Sequence, residues 1–410
     1  MNQMNKEKAL SRRDFLRTAG TVGAGSLLCA AGAMAQGTQE PAEKKTDAAT
    51  VPTRPFGKTG VNVSILSLGG MFDIPSNQLL LRQALKWGVT HWDTADCYEG
   101  GKSELGIGQF FTKYPEARKE VFLVTKSDAR DPAGMTALLN RSLERMKTDT
   151  IDLYFIHGMK RINEIDNNTK SWVEKAKAQG KIRFFGFSTH TNMEDLMMDA
   201  ARLGWIDGIM ITYNFRIMHQ DKMKAAVDAC TKAGIGLTAM KTQGGGSVSM
   251  ESETEIEMAG KFLKEGYTDK QAKLKAIWQN PLIASICSQM PNMTVLMSNI
   301  AAALNQTKLS AESMDWLDRY AQDTASSYCA GCAHLCESTL ETNLPVREVM
   351  RYLMYFNSYG ECNRARALFA ELPLEVRERL ASVDFSAAEK CCPQRLQIGR
   401  LMKQASTLLA

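Results

Sequence analysis

No stretch of this chain gathers its basic residues: 50 lysines and arginines are interspersed with 45 aspartates and glutamates, leaving a net charge of +5 over 410 residues. A nucleic-acid surface needs a concentrated positive patch, so no nucleic-acid partner is expected. Long hydrophobic runs are missing too. The most apolar stretch, from about Ala19 to Ala35, is short and glycine-rich for a membrane span. The segment "ILSLGGMFD" lacks the G-x-G-x-x-G fingerprint that would follow the first strand of a doubly wound nucleotide-binding sheet. There is no long internal repeat. What is present is ordinary globular material, 44% hydrophobic and 23% charged, in a chain long enough to bury a large core.

The N-terminal stretch "LSRRDFLRTAGTVGAGSLLCAAGAMAQ" pairs Arg12 and Arg13 ahead of a mildly apolar segment and ends in small residues. It resembles a twin-arginine export signal, residues 1–35, cleaved after Ala35. The resemblance implies reading by the twin-arginine export machinery and a periplasmic or otherwise exported product with no stable membrane span. Leu28 is too bulky to precede a lipid-modified Cys29. Residues 36–52, "QGTQEPAEKKTDAATVP", are polar and without apolar period, a flexible linker.

From Arg54 the pattern changes. A Gly-containing hairpin signal is followed by apolar strand candidates at Ile65–Leu68, His91–Asp93, Val121–Lys126, Ile151–His157, Ile182–Ser188, Gly208–Tyr213, Gly236–Met240 and Ile283–Ser288. Amphipathic stretches lie between them; in "SNQLLLRQALKWG", Leu80, Ala84 and Trp87 share a helical face and Gly88 stops the helix. Eight strands alternating with helices predict a (β/α)8 TIM barrel over residues 53–305, since each crossover returns a parallel strand to the same sheet. Residues 306–410 lose the alternation and read as a helical, cysteine-rich module.

Chemistry in such a barrel sits at the carboxyl ends of its strands. Asp93 ends the second strand, Tyr98 follows it, Lys126 ends the third and His157 ends the fourth. A phenol is a weak acid, with an ordinary pKa of about 10. An ammonium beside Tyr98 is expected to lower that value, and Asp93 to hold Lys126 charged and oriented. His157 would then polarise a carbonyl while the phenol protonates it. Singly, each residue has a structural reading, as a buried ion pair or a core histidine. Together they form a constellation.

The motifs "HWDTADCYEGGKSELG", "VFLVTK", "DLYFIH", "GKIRFFGFST" and "DGIMITYN" resemble, in order and spacing, those of the aldo-keto reductases. The resemblance implies hydride transfer between a nicotinamide cofactor, NAD(P)H, and a small carbonyl or alcohol. It assigns the general acid to Tyr98, its activators to Lys126 and Asp93, and carbonyl orientation to His157. It also implies cofactor contacts at Gly70, Met71, Ser188 and Met240; the glycine-rich "KTQGGG" after the seventh strand suits backbone N–H groups approaching a pyrophosphate, with Lys241 and Gly244 as candidates, and Ser288 and Asn299 are candidates for the adenosine. Departures stand beside these. Met210 falls where the family places a carboxamide-binding glutamine, Met240 where it places an aromatic that stacks on the nicotinamide, and "CSQMPNMTVLMSN" has no basic residue for a 2'-phosphate. Met290, Met293 and Met297 have the spacing of one buried helix face.

Ten cysteines become nine once Cys29 leaves, and an odd number does not close a disulfide framework. "YCAGCAHLCES" puts Cys329, Cys332 and Cys336 at C-x2-C-x3-C, near the ferredoxin spacing, and "KCCPQ" supplies Cys392 before a proline, like the last cysteine of a ferredoxin half-motif. These four are the expected ligands of a 4Fe-4S cluster, with Cys391 and Cys362 as substitutes for the fourth. Zinc is the alternative, with His334 as a replacement ligand. A cluster in turn raises the prospect of a redox partner, and of a protein that moves electrons on a barrel without nicotinamide use.

Overall fold

The computed structural model describes residues 49–245, 253–341 and 344–410; the stretch that resembles a twin-arginine signal, its expected cleavage after Ala35 and most of the expected linker lie outside the described residues. A hairpin comes first, β1 (Thr53–Pro55) antiparallel to β2 (Asn62–Ser64). Eight parallel strands then close on themselves: β3 (Leu66–Gly69), β4 (His91–Asp93), β5 (Phe122–Ser127), β6 (Ile151–Ile156), β7 (Ile182–Thr189), β8 (Gly208–Thr212), β9 (Gly236–Met240) and β10 (Ser285–Gln289), with β10 pairing both β9 and β3. The eight expected strands are all present, with ends shifted by a residue or two. Ile283 stays out of β10 because its N–H still closes a turn onto the Asn280 carbonyl.

Strands covered on both faces read as apolar runs, and β6, "IDLYFI", is buried throughout. Its one charge, Asp152, is held by Arg118 at 2.9 Å and Arg183 at 2.5 Å and accepts the Leu123 N–H. Helices between strands begin where capping chemistry predicts. Asp131 accepts from Ala133 and Gly134 ahead of Pro132–Met146, and Asp166 caps Asn167–Ala178 with Thr169 returning the bond. Helix Gln78–Lys86 buries Leu80 and Ala84 and ends before Gly88 in the left-handed region at φ 80°.

The hairpin turns inward at Phe56, which is fully buried among the first residues of several strands, tilted on Phe122 and edge-on to His91. It closes the amino-terminal end of the barrel. The wall of the interior is finished by Val124, Leu153, Phe155 and Met210.

Helix Ala311–Asp323 buries Leu317 and Tyr320 in the barrel's outer core, which Leu309 and Tyr328 also join. A second core gathers residues from Leu344 to Leu409, including Val349, Leu353, Phe369, Leu380 and Met402. No helix among the described residues is long and apolar enough to cross a membrane. The expected methionine face is not one face: Met290 is buried ahead of helix Met293–Leu304, while Met293 and Met297 are exposed on it. The helix begins at Met293, so its buried register runs through Leu296 and Ile300 instead.

Candidate active site

Alternation along paired strands decides which side chains enter the mouth. Asp93 pairs with Val124 in the β4–β5 register, and Lys126, two residues further along β5, reaches above it. Lys126 Nζ donates to Asp93 Oδ1 at 2.6 Å, to the Thr94 carbonyl at 2.7 Å and to Tyr98 Oη at 3.3 Å. Both members of the ion pair are almost wholly buried, at 1% and 2% exposure. Tyr98 opens a short 3-10 turn, Tyr98–Gly101, whose last three residues all have positive φ. Gly101, at φ 90°, lies so close to the Arg145 guanidinium that a Cβ there would sit 2.6 Å from it. Arg145 in turn donates to the Asp96 carbonyl and Arg141 to the Asp96 carboxylate, fixing the loop that carries the phenol. His157 completes the quartet, its ring edge-on to that of Tyr98 with centroids 5.8 Å apart.

The electrostatics differ from expectation at one member. Burial disfavours the Lys126 ammonium, but Asp93, Tyr98 and Cys287 outweigh it and hold the lysine above its ordinary value. Burial lifts the Asp93 carboxyl while Lys126 pulls it back. The Tyr98 phenol was expected below its usual pKa; instead burial raises it, with Lys126 opposing and Asp93 reinforcing. Removing water from the phenolate costs more than one ammonium, already shared with a carboxylate, returns. Tyr98 is therefore a firmly protonated donor at neutral pH. His157 is pushed down to about 3 by burial, with Lys126, Arg351, Arg130 and Arg364 adding, and is a neutral imidazole.

The remaining sequence-derived positions ring the same mouth, with differing commitments. Gly70 donates its N–H to the Asp93 carbonyl at 2.7 Å, and the Met71 carbonyl accepts from Gln289. Ser188 Oγ accepts the Gly158 N–H, and Ser288 Oγ accepts from Asn299 at 3.0 Å. Met240 is half-buried at the end of β9. Lys241 and Gly244 belong to the loop beyond it, where Arg216 donates to the Gly244 carbonyl.

That loop is covered by a helix from the C-terminal module, Val346–Ser358, which sequence reasoning did not foresee. Lys241 Nζ donates to Tyr355 Oη at 3.3 Å and lies over the rings of Tyr355 and Tyr359 at 4.5 and 5.3 Å. A Cβ on Gly245 would overlap Met354. Arg351 and Arg364 flank Tyr355 at 5.9 and 4.8 Å from its ring. Burial raises the Tyr355 phenol, but Lys241, Arg351 and Arg364 overcome it and bring it down to about 8. The phenol acidified by cations is thus Tyr355, not Tyr98. No spacing rule links residues 241 and 355.

Cys329, Cys332, Cys336 and Cys392 line one small cavity, together with Ala333, Val346, Arg347, Met350 and Ile398. The described cysteines form no disulfide. Burial pushes Cys329 up to about 11 and Cys332 and Cys336 up to about 12. The substitutes are elsewhere: Cys391 is exposed, Cys362 contacts the Phe356 carbonyl, and His334 turns its Nδ1 to Asn192 at 2.7 Å. The cysteine loop is docked on the barrel, where Asn192 donates to the Gly331 carbonyl at 3.0 Å and Asn214 to Tyr328 Oη at 2.9 Å. Gly331, at φ 88°, packs so tightly on the His190 carbonyl that a Cβ would overlap it.

A closed eight-stranded parallel barrel with a protonated phenol, a buried ammonium and a neutral imidazole at its carboxyl end defines a class of oxidoreductase fold and site. The family model "Aldo/keto reductase family" matches residues 66–320, and the chain belongs to that family. The uncharacterized oxidoreductase YqkF of Bacillus subtilis is 25% identical over 298 residues, covering 65% of this chain and 95% of that protein. The aldo-keto reductase yakc [NADP(+)] of Schizosaccharomyces pombe is 35% identical over 154 residues, 34% of this chain and 43% of that protein. Methylglyoxal reductase YeaE of Escherichia coli is 36% identical over 122 residues, 28% and 40% of the two chains. Among solved structures, the thermostable aldo-keto reductase Tm1743, in complex with the inhibitor epalrestat, superposes with TM-score 0.56 at 26% identity, covering 65% of this chain and 99% of that one.

Proposed function

We propose that this protein is an exported enzyme that reduces a small carbonyl compound with a nicotinamide cofactor, and that its C-terminal module holds a 4Fe-4S cluster. The observation that carries the first part is Lys126 Nζ placed between Asp93 and Tyr98 at the barrel mouth. The hydride would come from a nicotinamide held at the mouth beside Ser188 and Met240. Tyr98 donates its proton to the carbonyl oxygen as negative charge develops there, and Lys126 stabilises the phenolate left behind. Asp93 keeps Lys126 charged and aimed, and the neutral His157 orients the oxygen. The NADP(+) and methylglyoxal reductases among the relatives support this cofactor class and a small substrate.

The residues fit the reacting end of a nicotinamide better than its pyrophosphate end. Ser188 and the half-buried Met240 edge the mouth, whereas Lys241 is engaged by Tyr355. That engagement favours a second reading, an electron-transfer protein on a barrel that has given up nicotinamide. Titration with NADH and NADPH separates them. The enzyme reading expects binding, and a loss of about 10²- to 10⁴-fold in carbonyl reduction for Tyr98→Phe with binding retained. Absence of binding, together with no carbonyl reduction that depends on Tyr98, would favour the second reading.

For the cluster, four thiols facing one largely apolar cavity are the right donors. Tetrahedral zinc would use the same four thiols, and acid-labile sulfide distinguishes the two. Export through the twin-arginine machinery, already folded, is consistent with a cofactor installed before transit.

A further inference from the structure

Three consecutive loops at the barrel mouth bring a thiol, an imidazole and a carboxylate to one point. Cys97 lies in the loop after β4, Asp128 directly follows β5 and His157 directly follows β6. Cys97 Sγ is 3.7 Å from His157 Nδ1, Asp128 Oδ1 is 3.5 Å from the same nitrogen, and all three donor atoms lie within 4.8 Å of one another. We propose that Cys97, Asp128 and His157 hold a divalent cation of the zinc class, with a fourth position left for water or substrate.

Two of the three edges, those that meet at His157 Nδ1, have the lengths of a coordination tetrahedron. Zinc bonds of about 2.3 Å to sulfur and about 2.0–2.2 Å to nitrogen and oxygen set a sulfur–nitrogen edge of about 3.6 Å and a nitrogen–oxygen edge of about 3.4 Å. The observed 3.7 and 3.5 Å differ from these by about 0.1 Å. A cation would serve all three ligand atoms at once.

The frame is built in advance. The His157 N–H donates to the Ser127 carbonyl at 2.9 Å, tying the second and third loops together. The Arg130 guanidinium donates to the carbonyls of both His157 and Asp128, at 2.8 and 2.9 Å, while its charge is taken by Glu164 at 2.7 Å. Cys97 and Asp128 are exposed, so an ion has access from solvent. Three protein ligands and an open position are the pattern of catalytic rather than structural zinc. An ion on Nδ1 also leaves the imidazole proton on Nε2, the one ring nitrogen free to donate to a substrate oxygen.

The test reads metal, so it stands whether or not nicotinamide binds. The full chain, Cys97→Ser, Asp128→Asn and Cys392→Ser are equilibrated with buffered zinc, and metal per chain is measured; circular dichroism checks that each variant is folded. One equivalent is expected in the parent protein and in Cys392→Ser, and its loss in Cys97→Ser, with weaker retention in Asp128→Asn. Cobalt in place of zinc should give a sulfur-to-metal charge-transfer band that Cys97→Ser abolishes. No zinc in the parent protein overturns the proposal. So does zinc that persists in Cys97→Ser, or zinc that vanishes only in Cys392→Ser and so belongs to the cysteine cavity.

Discussion

Lys241, one residue beyond β9, donates its ammonium to the phenol of Tyr355 on the helix that covers the barrel mouth, 114 residues further along the chain. Three cations around one buried phenol bring it down to about 8. Of the ten tyrosines, Tyr355 should therefore ionise in a step near pH 8, visible in the phenolate absorbance and missing in Tyr355→Phe. The folded value lies below the unfolded one of about 10, so the phenolate stabilises the fold as pH rises from about 8 to about 10, by about 1.4 kcal/mol per unit. That increment is lost as pH falls through 8. A variant and parent with identical titrations and denaturation profiles across this window would refute the assignment.

Asp93→Asn should remove the counter-charge of a lysine with 1% exposure and destabilise the protein by about 3–5 kcal/mol in urea denaturation. Adding Lys126→Met to Asp93→Asn should recover much of that stability, because the stranded charge is gone. It should not recover carbonyl reduction, because the phenolate of Tyr98 then has no ammonium beside it. Recovery of both would reduce the pair to a structural role.

His91 is fully buried inside the barrel between Phe56 and Phe122, and neither ring nitrogen has a partner. Burial, aided by Lys126, pushes it down to about 3. The unfolded chain takes up this proton near pH 6.5, so stability falls as pH drops below that value, by about 1.4 kcal/mol per unit, until the folded value is reached. His91→Leu should lose less stability than the parent between pH 7 and pH 5, by about 2 kcal/mol. Equal losses in the two proteins would show that the imidazole is not held neutral.

Protein purified without oxygen should contain iron and acid-labile sulfide, and Cys392→Ser should lose most of both. Cys362→Ser and Cys391→Ser should keep them, since neither thiol lines the cavity. Zinc without sulfide would remove the cluster from the account.

Polar residues ending apolar runs stand out in a sequence, which is why Asp93, Lys126 and His157 were legible, and β4 and β9 were placed to the residue. The Asp93–Tyr98 spacing likewise needed no coordinates. The acidity of Tyr98 did, because desolvation, which decides it, depends on what the fold stacks above the ring. Cys97 stood next to a recognised tyrosine without signal, since its partners sit in two other loops. The covering helix was hidden for a similar reason: Tyr355, Arg351 and Arg364 are ordinary residues of amphipathic helices until they meet Lys241.

Phe56 makes the barrel a vessel stoppered at its base. Behind it the interior is packed solid, so a molecule that meets Asp93, Tyr98, Lys126 and His157 must arrive from the far rim, and a substitution at the base can alter stability without touching that approach.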